Sequence, residues 1–496
     1  MAAPFDALPL PDLADAALGR AAGLGARHAA VLVTRVRTGT DLLYDGRPAG
    51  GHDATDTALG VRVIRDGVQG FASTDDIGTS AAADAAARAV SRARACRAIT
   101  AVPSDPVDEP VHRDTGWSSP CRVDPFGVPR AERARRLADW SRRLLAHRPV
   151  THVHAKLVAV REEKFYADLA GTVTVQRRVR IHPQVTVLGV GPGTAASLRT
   201  AGPPTARGLE YLDGDGWDWD AELAALPGHL AGKLRAPAVE PGERTLVIDP
   251  SNLWLTVHES VGHATELDRA LGHEAGYAGT TFADPAARGV LRYGAKPMNV
   301  TADRTAEHGL ATVGYDDEGV AAQAWDLVRD GVLTGFQLDR STARLAGAER
   351  SNGCAYAESA RHVPLPRMPN VSLCPAPDGP STEELISDVT DGLYLVGSGG
   401  WSIDTERRTF QFTAQRCHRI RRGRLAGQVR DVAYQADTLA FWNSLCAVGG
   451  PADYRLFGAD LCGKGQPVQV AAASHGCPPA VFHRVRVVNA AREAGL

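Results

Sequence analysis

The sequence predicts an α+β fold of two domains with antiparallel or mixed sheets, the second domain β-rich. Three observations carry this. Apolar residues alternate over long stretches, as in His28 to Arg37 and Val153 to Val190, with the period-two spacing of strands. Helical patterns are few and do not alternate one for one with strands, as a βα repeat requires. The segment Pro237 to Gly242 breaks both patterns, so residues 1–238 and 239–496 are expected as N-terminal and C-terminal domains.

Each element has a local reason. Residues 6–26 carry Leu, Ala and spaced acids, an amphipathic helix. His28 to Arg37 is a strand, and Leu42-Leu43-Tyr44 is expected to pair back through a turn at Thr38-Gly39-Thr40. Asp66-Gly67 between two apolar runs marks a hairpin. Residues 80–100 are Ala-rich and helical. Six prolines between 103 and 129 mark a surface connection. Residues 130–147 and 219–235 are helices, and 151–190 holds long antiparallel strands turning at Ala170-Gly171. In the second half, Thr245 to Asp249 runs as a strand into a helix, with Asp249 as its cap and Pro250 at its first position. Strands are then expected at Gly309 to Tyr315, Ala324 to Arg329, Gly335 to Leu338, Val371 to Cys374, Gly392 to Val396, Phe410 to Ala414, Cys417 to Ile420 and Val468 to Ala472. Short helices at 339–347, 381–390 and 434–447 interrupt them.

Composition narrows the function classes. The 496 residues are 44% hydrophobic and 23% charged, with a net charge of −2. Near balance gives no basic field for nucleic acid or an anionic membrane. The arginine-rich helix at 130–147 reads as a solvated face. No run of about 18 apolar residues is present, and the first twenty residues lack the basic and apolar regions of a signal peptide. The eight cysteines form no CxxC pair and read as reduced thiols. A cytoplasmic location is expected.

One stretch carries chemistry: Trp254 to Asp268, with His258, Glu259 and His263. Imidazole suits zinc. In the HExxH signature two histidines stand four apart and share a helix face. Here they stand five apart, which on a helix turning about 100° per residue separates them by about 140°. A π-type turn between His258 and His263 would bring them onto one face, with Gly262 easing the distortion. Glu259 is then placed to act as general base. Glu266 and Asp268, one turn on, are placed to orient the imidazoles. The plain alternative is an exposed polar helix face. A catalytic site also needs a third protein ligand, which this segment does not supply.

With its surroundings, the segment resembles the TldD/PmbA family of zinc metallopeptidases, specifically its active TldD-type subunit. His258, Glu259, Gly262, His263, Glu266 and Asp268 match the family's motif. A distant Cys-Gly-Lys context matches at Cys462-Gly463-Lys464, and further matches include Asp316 to Gly319, Arg367-Met368-Pro-Asn370 and Gly397 to Gly400. The resemblance covers nearly the full length. It implies Cys462 as the third zinc ligand beside His258 and His263, with Glu259 as the catalytic base. It further implies substrate contacts at Arg367, Asn370, Gly399 and Gly400. His475 and Cys477 are set aside as ligands, because Cys462 fills the position and Pro478 marks a turn.

The resemblance also implies a peptidase cleaving unstructured or leader peptides, the β-rich domain carrying the zinc-site helix. Assembly as a homodimer, or as a heterodimer with a TldE/PmbA-like subunit, is implied too. A small-molecule amidase and a non-catalytic scaffold are the alternatives. Departures after His263 and at Trp401 bear on the substrate more than on the chemistry.

Overall fold

The computed structural model describes residues 4–100, 103–191 and 193–493. The fold is α+β with antiparallel and mixed sheets, as expected. Helix α1 (Leu10–Gly23) leads into a meander of β1 (His28–Tyr44), β2 (Arg47–Arg65) and β3 (Val68–Thr74). The sequence reading places a turn at Thr38-Gly39-Thr40, but β1 runs straight through it and turns at Asp45-Gly46. Those two residues have φ of 48° and 76°, the signature of a tight two-residue hairpin. The threonines at 38 and 40 are β-branched and favour extended backbone.

Helix α2 (Thr79–Cys96), β4 (Thr115–Ser118), α3 (Arg130–Leu145), β5 (Val150–Asp168), β6 (Val173–Gly191), β7 (Thr194–Arg199) and α4 (Trp219–Arg235) complete the first half. Its seven strands form one sheet, ordered β3-β2-β1-β5-β6-β4, with β7 beside β6. The four helices all pack on one face. Odd-numbered residues of β1 and β5 point to them, as Val31, Val33, Val153 and Leu157 do. Even-numbered residues form the opposite face, because strand side chains alternate. That face meets the second half.

The second half contains β8 (Gly242–Ile248), helix α5 (Pro250–Val257), β9 (Val300–Asp303), β10 (Ala324–Arg329), β11 (Val332–Leu333), β12 (Ala355–Tyr356), β13 (Leu365–Pro366) and β14 (Asn370–Leu373). Eight further strands complete it: β15 (Asp391–Ile403), β16 (Thr409–Arg421), β17 (Arg424–Val429), β18 (Val432–Asp437), β19 (Leu445–Val448), β20 (Arg455–Lys464), β21 (Gln469–Cys477) and β22 (Ala480–Asn489). The path β15-β8-β22-β18-β16 closes into a ring because β15 also pairs with β16. Leu246, Phe412, Tyr434 and Phe482 share its core with Leu253 and Val257 of α5. Phe410 to Ala414 and Cys417 to Ile420 lie on the single strand β16.

Two predicted strands are absent. Gly309 to Tyr315 is irregular, because side chains take up its backbone donors. Leu310 donates to Ser474 Oγ, Ala311 to Asn370 Oδ1, and Gly314 and Tyr315 to Gln176 Oε1. Gly335 to Leu338 makes only a single bridge, between Gln337 and Glu266.

The seam between the halves is charged, buried and paired. Lys164 Nζ lies 2.6 Å from Asp317 Oδ2 and 2.8 Å from the Ala357 carbonyl. Arg62 pairs with Glu318, and Tyr356 donates to Glu162 Oε1 at 2.9 Å. Buried ions need such partners, since removing one strands the other away from water. Lys164→Met should therefore lower the unfolding free energy by about 3–5 kcal/mol, measured as the shift in urea midpoint at unchanged slope.

Candidate metal centre

Asp249 caps α5 by accepting from Ser251 N, so the helix begins where the sequence places it. It does not continue as a regular helix. Residues His258–Gly262 form a π-turn, followed by a 3-10 turn at His263–Thr265. The wider turn brings position i+5 back under position i, and the His258 and His263 rings sit 4.7 Å apart. Side chains satisfy the carbonyls that the distortion loosens. Tyr293 OH donates to the Ser260 carbonyl, and Gln337 Nε2 donates to the Gly262 carbonyl at 2.5 Å.

Gly262 has a different role from the expected one. Its φ of −54° and ψ of −62° are open to any residue. What disfavours a side chain here is Met368, whose Sδ would lie 2.5 Å from a Cβ at this position and would have to shift. Glycine lets Met368 pack directly against the turn.

Cys462 comes from β20. Between Ala459 and Cys462 the β20–β21 register shifts, so that Asp460 and Leu461 form a bulge. Bulges re-aim side chains, and Cys462 Sγ ends 3.4 Å from His263 Nε2. One donor atom from each of His258, His263 and Cys462 lies within 4.8 Å of the others, and all three residues are buried. Ligands at 2.0–2.3 Å around a tetrahedral ion stand roughly 3.3–3.7 Å apart. The set therefore fits an ion of the nitrogen-and-sulfur class.

Hydrogen bonds fix which imidazole nitrogens face that ion. The Val371 carbonyl can only accept, so His475 Nδ1, 2.8 Å away, carries the proton. Its Nε2 then accepts from His258 Nδ1 at 2.7 Å. Burial pushes His475 down to about 4, which keeps it neutral for this task. Glu266 Oε2 likewise accepts from His263 Nδ1 at 2.9 Å. Both potential ligands are left with an unprotonated Nε2, and that of His263 faces the Cys462 thiol. Burial holds His258 well below its usual range and His263 down at about 3, so both are neutral donors. Burial also raises the Cys462 thiol, so a bound metal must displace its proton.

Lys464 ties the pieces together. Its Nζ lies 2.8 Å from Asp268 Oδ1 and 3.3 Å from Glu266 Oε1, fully buried. Burial alone would raise Glu266, but Lys464, His263 and Arg269 hold it well below the carboxylate range. Asp268 therefore serves Lys464 rather than orienting an imidazole as expected.

Glu259 sits in the same cleft, with Arg407 NH1 2.6 Å from its Oε2. Burial raises its pKa, which Arg407 and Trp401 oppose. The cleft has a volume of about 770 Å³ and runs between β15 and β20, with the first sheet as its far wall. The β15–β16 register shifts between Ser398 and Trp401; there Gly399 lines the cleft and Gly400 is exposed. Arg367 and Asn370, expected at the substrate, are buried behind it. Arg367 NH2 donates to the Cys462 carbonyl at 2.5 Å, and Asn370 bonds Ala311, Asp303 and Thr312. They hold the scaffold instead. Sequence reasoning weighed His475 only as a ligand and set it aside, and it did not consider Arg407; they lie 217 and 148 residues from their partners with no motif linking them.

Comparison with known proteins identifies the family. The family model described as PmbA/TldA metallopeptidase C-terminal domain matches residues 241–489, and PmbA/TldA metallopeptidase domain 1 matches 29–95. A metalloprotease of Methanothermobacter thermautotrophicus is 30% identical, over 88% of this chain and 90% of its own. The chain belongs to the TldD/PmbA family of metallopeptidases. Another TldD/PmbA relative, described as a zinc metalloprotease TldD homolog of Saccharolobus solfataricus, is 26% identical over 55% of this chain and 58% of its own. The TldE structure from Thermococcus kodakarensis shares the fold, with a TM-score of 0.71 at 14% identity, covering 95% of this chain and 98% of that one. As a member of this family, the protein is a metallopeptidase.

Contact between Gly262 and Met368 is directly testable. Gly262→Ala should destabilise the protein by about 1–3 kcal/mol through overpacking. Met368→Ala in the same chain should recover part of that loss, giving a favourable coupling in a double-mutant cycle of thermal unfolding.

Proposed function

We propose that this chain is a zinc-dependent peptidase that hydrolyses unstructured peptides, leader peptides among them. His258, His263 and Cys462 hold the ion, and Glu259 is the general base. The observation that carries this is the meeting of two imidazoles and a thiol within 4.8 Å, beside a carboxylate in an open cleft. The name of the Saccharolobus relative supports zinc as the metal.

Zinc bound there would supply a Lewis acid that polarises a peptide carbonyl and brings the pKa of water towards about 7. Glu259 takes the proton of the attacking water and returns it to the leaving amine. Arg407 fixes the carboxylate that does so.

The cleft's walls favour an extended peptide. Among the described residues, β15 beyond Val396 pairs only with β16, and β20 pairs only with β21. Two strand edges thus face the site, and an added strand binds such edges through main-chain hydrogen bonds. We further read residues 1–238 and 239–496 as two domains, the protein as cytoplasmic, and its partner as a TldE/PmbA-like subunit or a second copy. Among the described residues no helix is long and apolar enough to cross a membrane. The complete donor set and Glu259 weigh against a scaffold role.

Glu259→Gln should keep one equivalent of zinc and lose about 10²–10⁴-fold in turnover, while Cys462→Ala should lose the metal. Full activity in the first variant, or full zinc content in the second, overturns the assignment. His475→Ala should weaken zinc affinity about 10–100-fold, read by competition with a chelating dye.

A further inference from the structure

A second cavity of about 300 Å³ opens off the cleft, between the first sheet and the segment around Tyr356. We propose that it is a specificity pocket for one large apolar side chain of the bound peptide. The proposal rests on the peptidase reading above.

Its lining is mixed: Val36 from β1, Val158 and Val160 from β5, Leu310 and Val470 give it an apolar side, and Thr38 and Thr40 of β1, His52, Lys156 and Glu358 also line it. At one end Tyr356 OH and Arg180 NH1 both reach Glu162 Oε1, at 2.9 and 2.6 Å. These three polar groups are spent on one another, and Glu358 Oε2 accepts from Val470 N, so the apolar side offers an incoming side chain shape and burial. Its mouth is shared with the catalytic cleft through Lys156, His182, Asp460 and Leu461. His182 Nδ1 is tied to Asp460 Oδ2 at 2.8 Å.

The link to the metal centre is covalent and short. Asp460 and Leu461 are the bulge residues of β20, and the next residue is Cys462. The kink that turns the thiol towards His263 therefore also forms the portal. A peptide lying on the β20 edge sends alternate side chains to opposite faces, and those on one face point at this opening.

Size and composition name the occupant. Packed interiors hold few voids larger than a water molecule, so a space of this size with an apolar side, beside a catalytic cleft, is binding space. It sits at the bottom of the roughly 300–1,000 Å³ range of ligand pockets, enough for an aromatic or long aliphatic side chain and too small for a folded segment.

The test uses the full chain, with any subunit that co-purifies with it. A flexible Gly/Ser peptide carries a single Phe, Leu, Ala or Asp at each position in turn. Binding is measured by fluorescence anisotropy on the Glu259→Gln form, and cleavage on the unmodified protein. Phe or Leu at one register should bind about tenfold or more tighter than Ala, the gain of burying such a side chain. Val158→Trp and, separately, Thr38→Trp fill the pocket from two different strands. Each should erase that preference while zinc content and binding of the Ala peptide stay unchanged.

Absence of any preferred register, or a preference untouched by both folded variants, overturns the pocket. If neither variant folds, a photoreactive benzoylphenylalanine at the preferred register decides. Adducts on residues 158–162 support the pocket, and adducts elsewhere overturn it. Cleavage without register preference sinks the pocket and leaves the peptidase reading standing. Register-specific binding with no cleavage of any peptide does the reverse.

Discussion

Everything at the candidate centre depends on one widened helix turn. A regular helix would leave His258 and His263 on different faces. The π-turn at His258–Gly262 puts them together, at the expense of regular backbone hydrogen bonds. The surrounding structure makes up that loss. Tyr293, Gln337 and Ser260 bond the loosened segment, and Trp442 Nε1 bonds Ser260 Oγ at 2.9 Å. Met368 packs against Gly262 so closely that an added Cβ would force its side chain to shift. A distortion held from several sides persists, and such distortions gather at functional sites.

Charge then joins strand to helix. Lys464 is fully buried, and so are Glu266 and Asp268, which it meets. A buried ammonium without partners would be unstable, so this pairing sets where β20 can lie. Because Cys462 is two residues before Lys464 on that strand, docking the lysine also places the thiol. Arg367 holds the Cys462 carbonyl from the other side. The same logic extends outward through His475, which fixes the proton on His258 and leaves its other nitrogen free. Partners of this kind decide how well a ligand set holds its metal.

The two halves cooperate in the cleft. The first sheet turns its odd-numbered face to four helices and its even-numbered face to the second half. Paired charges such as Lys164 and Asp317, with an apolar cluster of Leu32, Ala58 and Ala360, occupy that seam. Where they give way to Val158, Val160 and Leu461, space remains beside the metal centre. Clefts between packed units are common ligand sites for this reason.

The features that the sequence determined by itself were local. Alternation showed the long strands, Asp66-Gly67 and Ala170-Gly171 showed turns, and Asp249-Pro250 showed where α5 starts. The five-residue spacing of the histidines pointed to a widened or broken turn if the two are to meet, since a regular helix keeps them on different faces. Irregular segments were not legible. Gly309 to Tyr315 has a strand's composition, yet distant side chains take its donors. Nor were Arg407, His475 or the true duties of Arg367 and Asn370 legible from pattern, and Cys462 was found only through resemblance. Each acts on a partner far along the chain, where spacing carries no geometric information. Periodicity encodes which face a residue occupies on its own element; only folding decides which other element that face will meet.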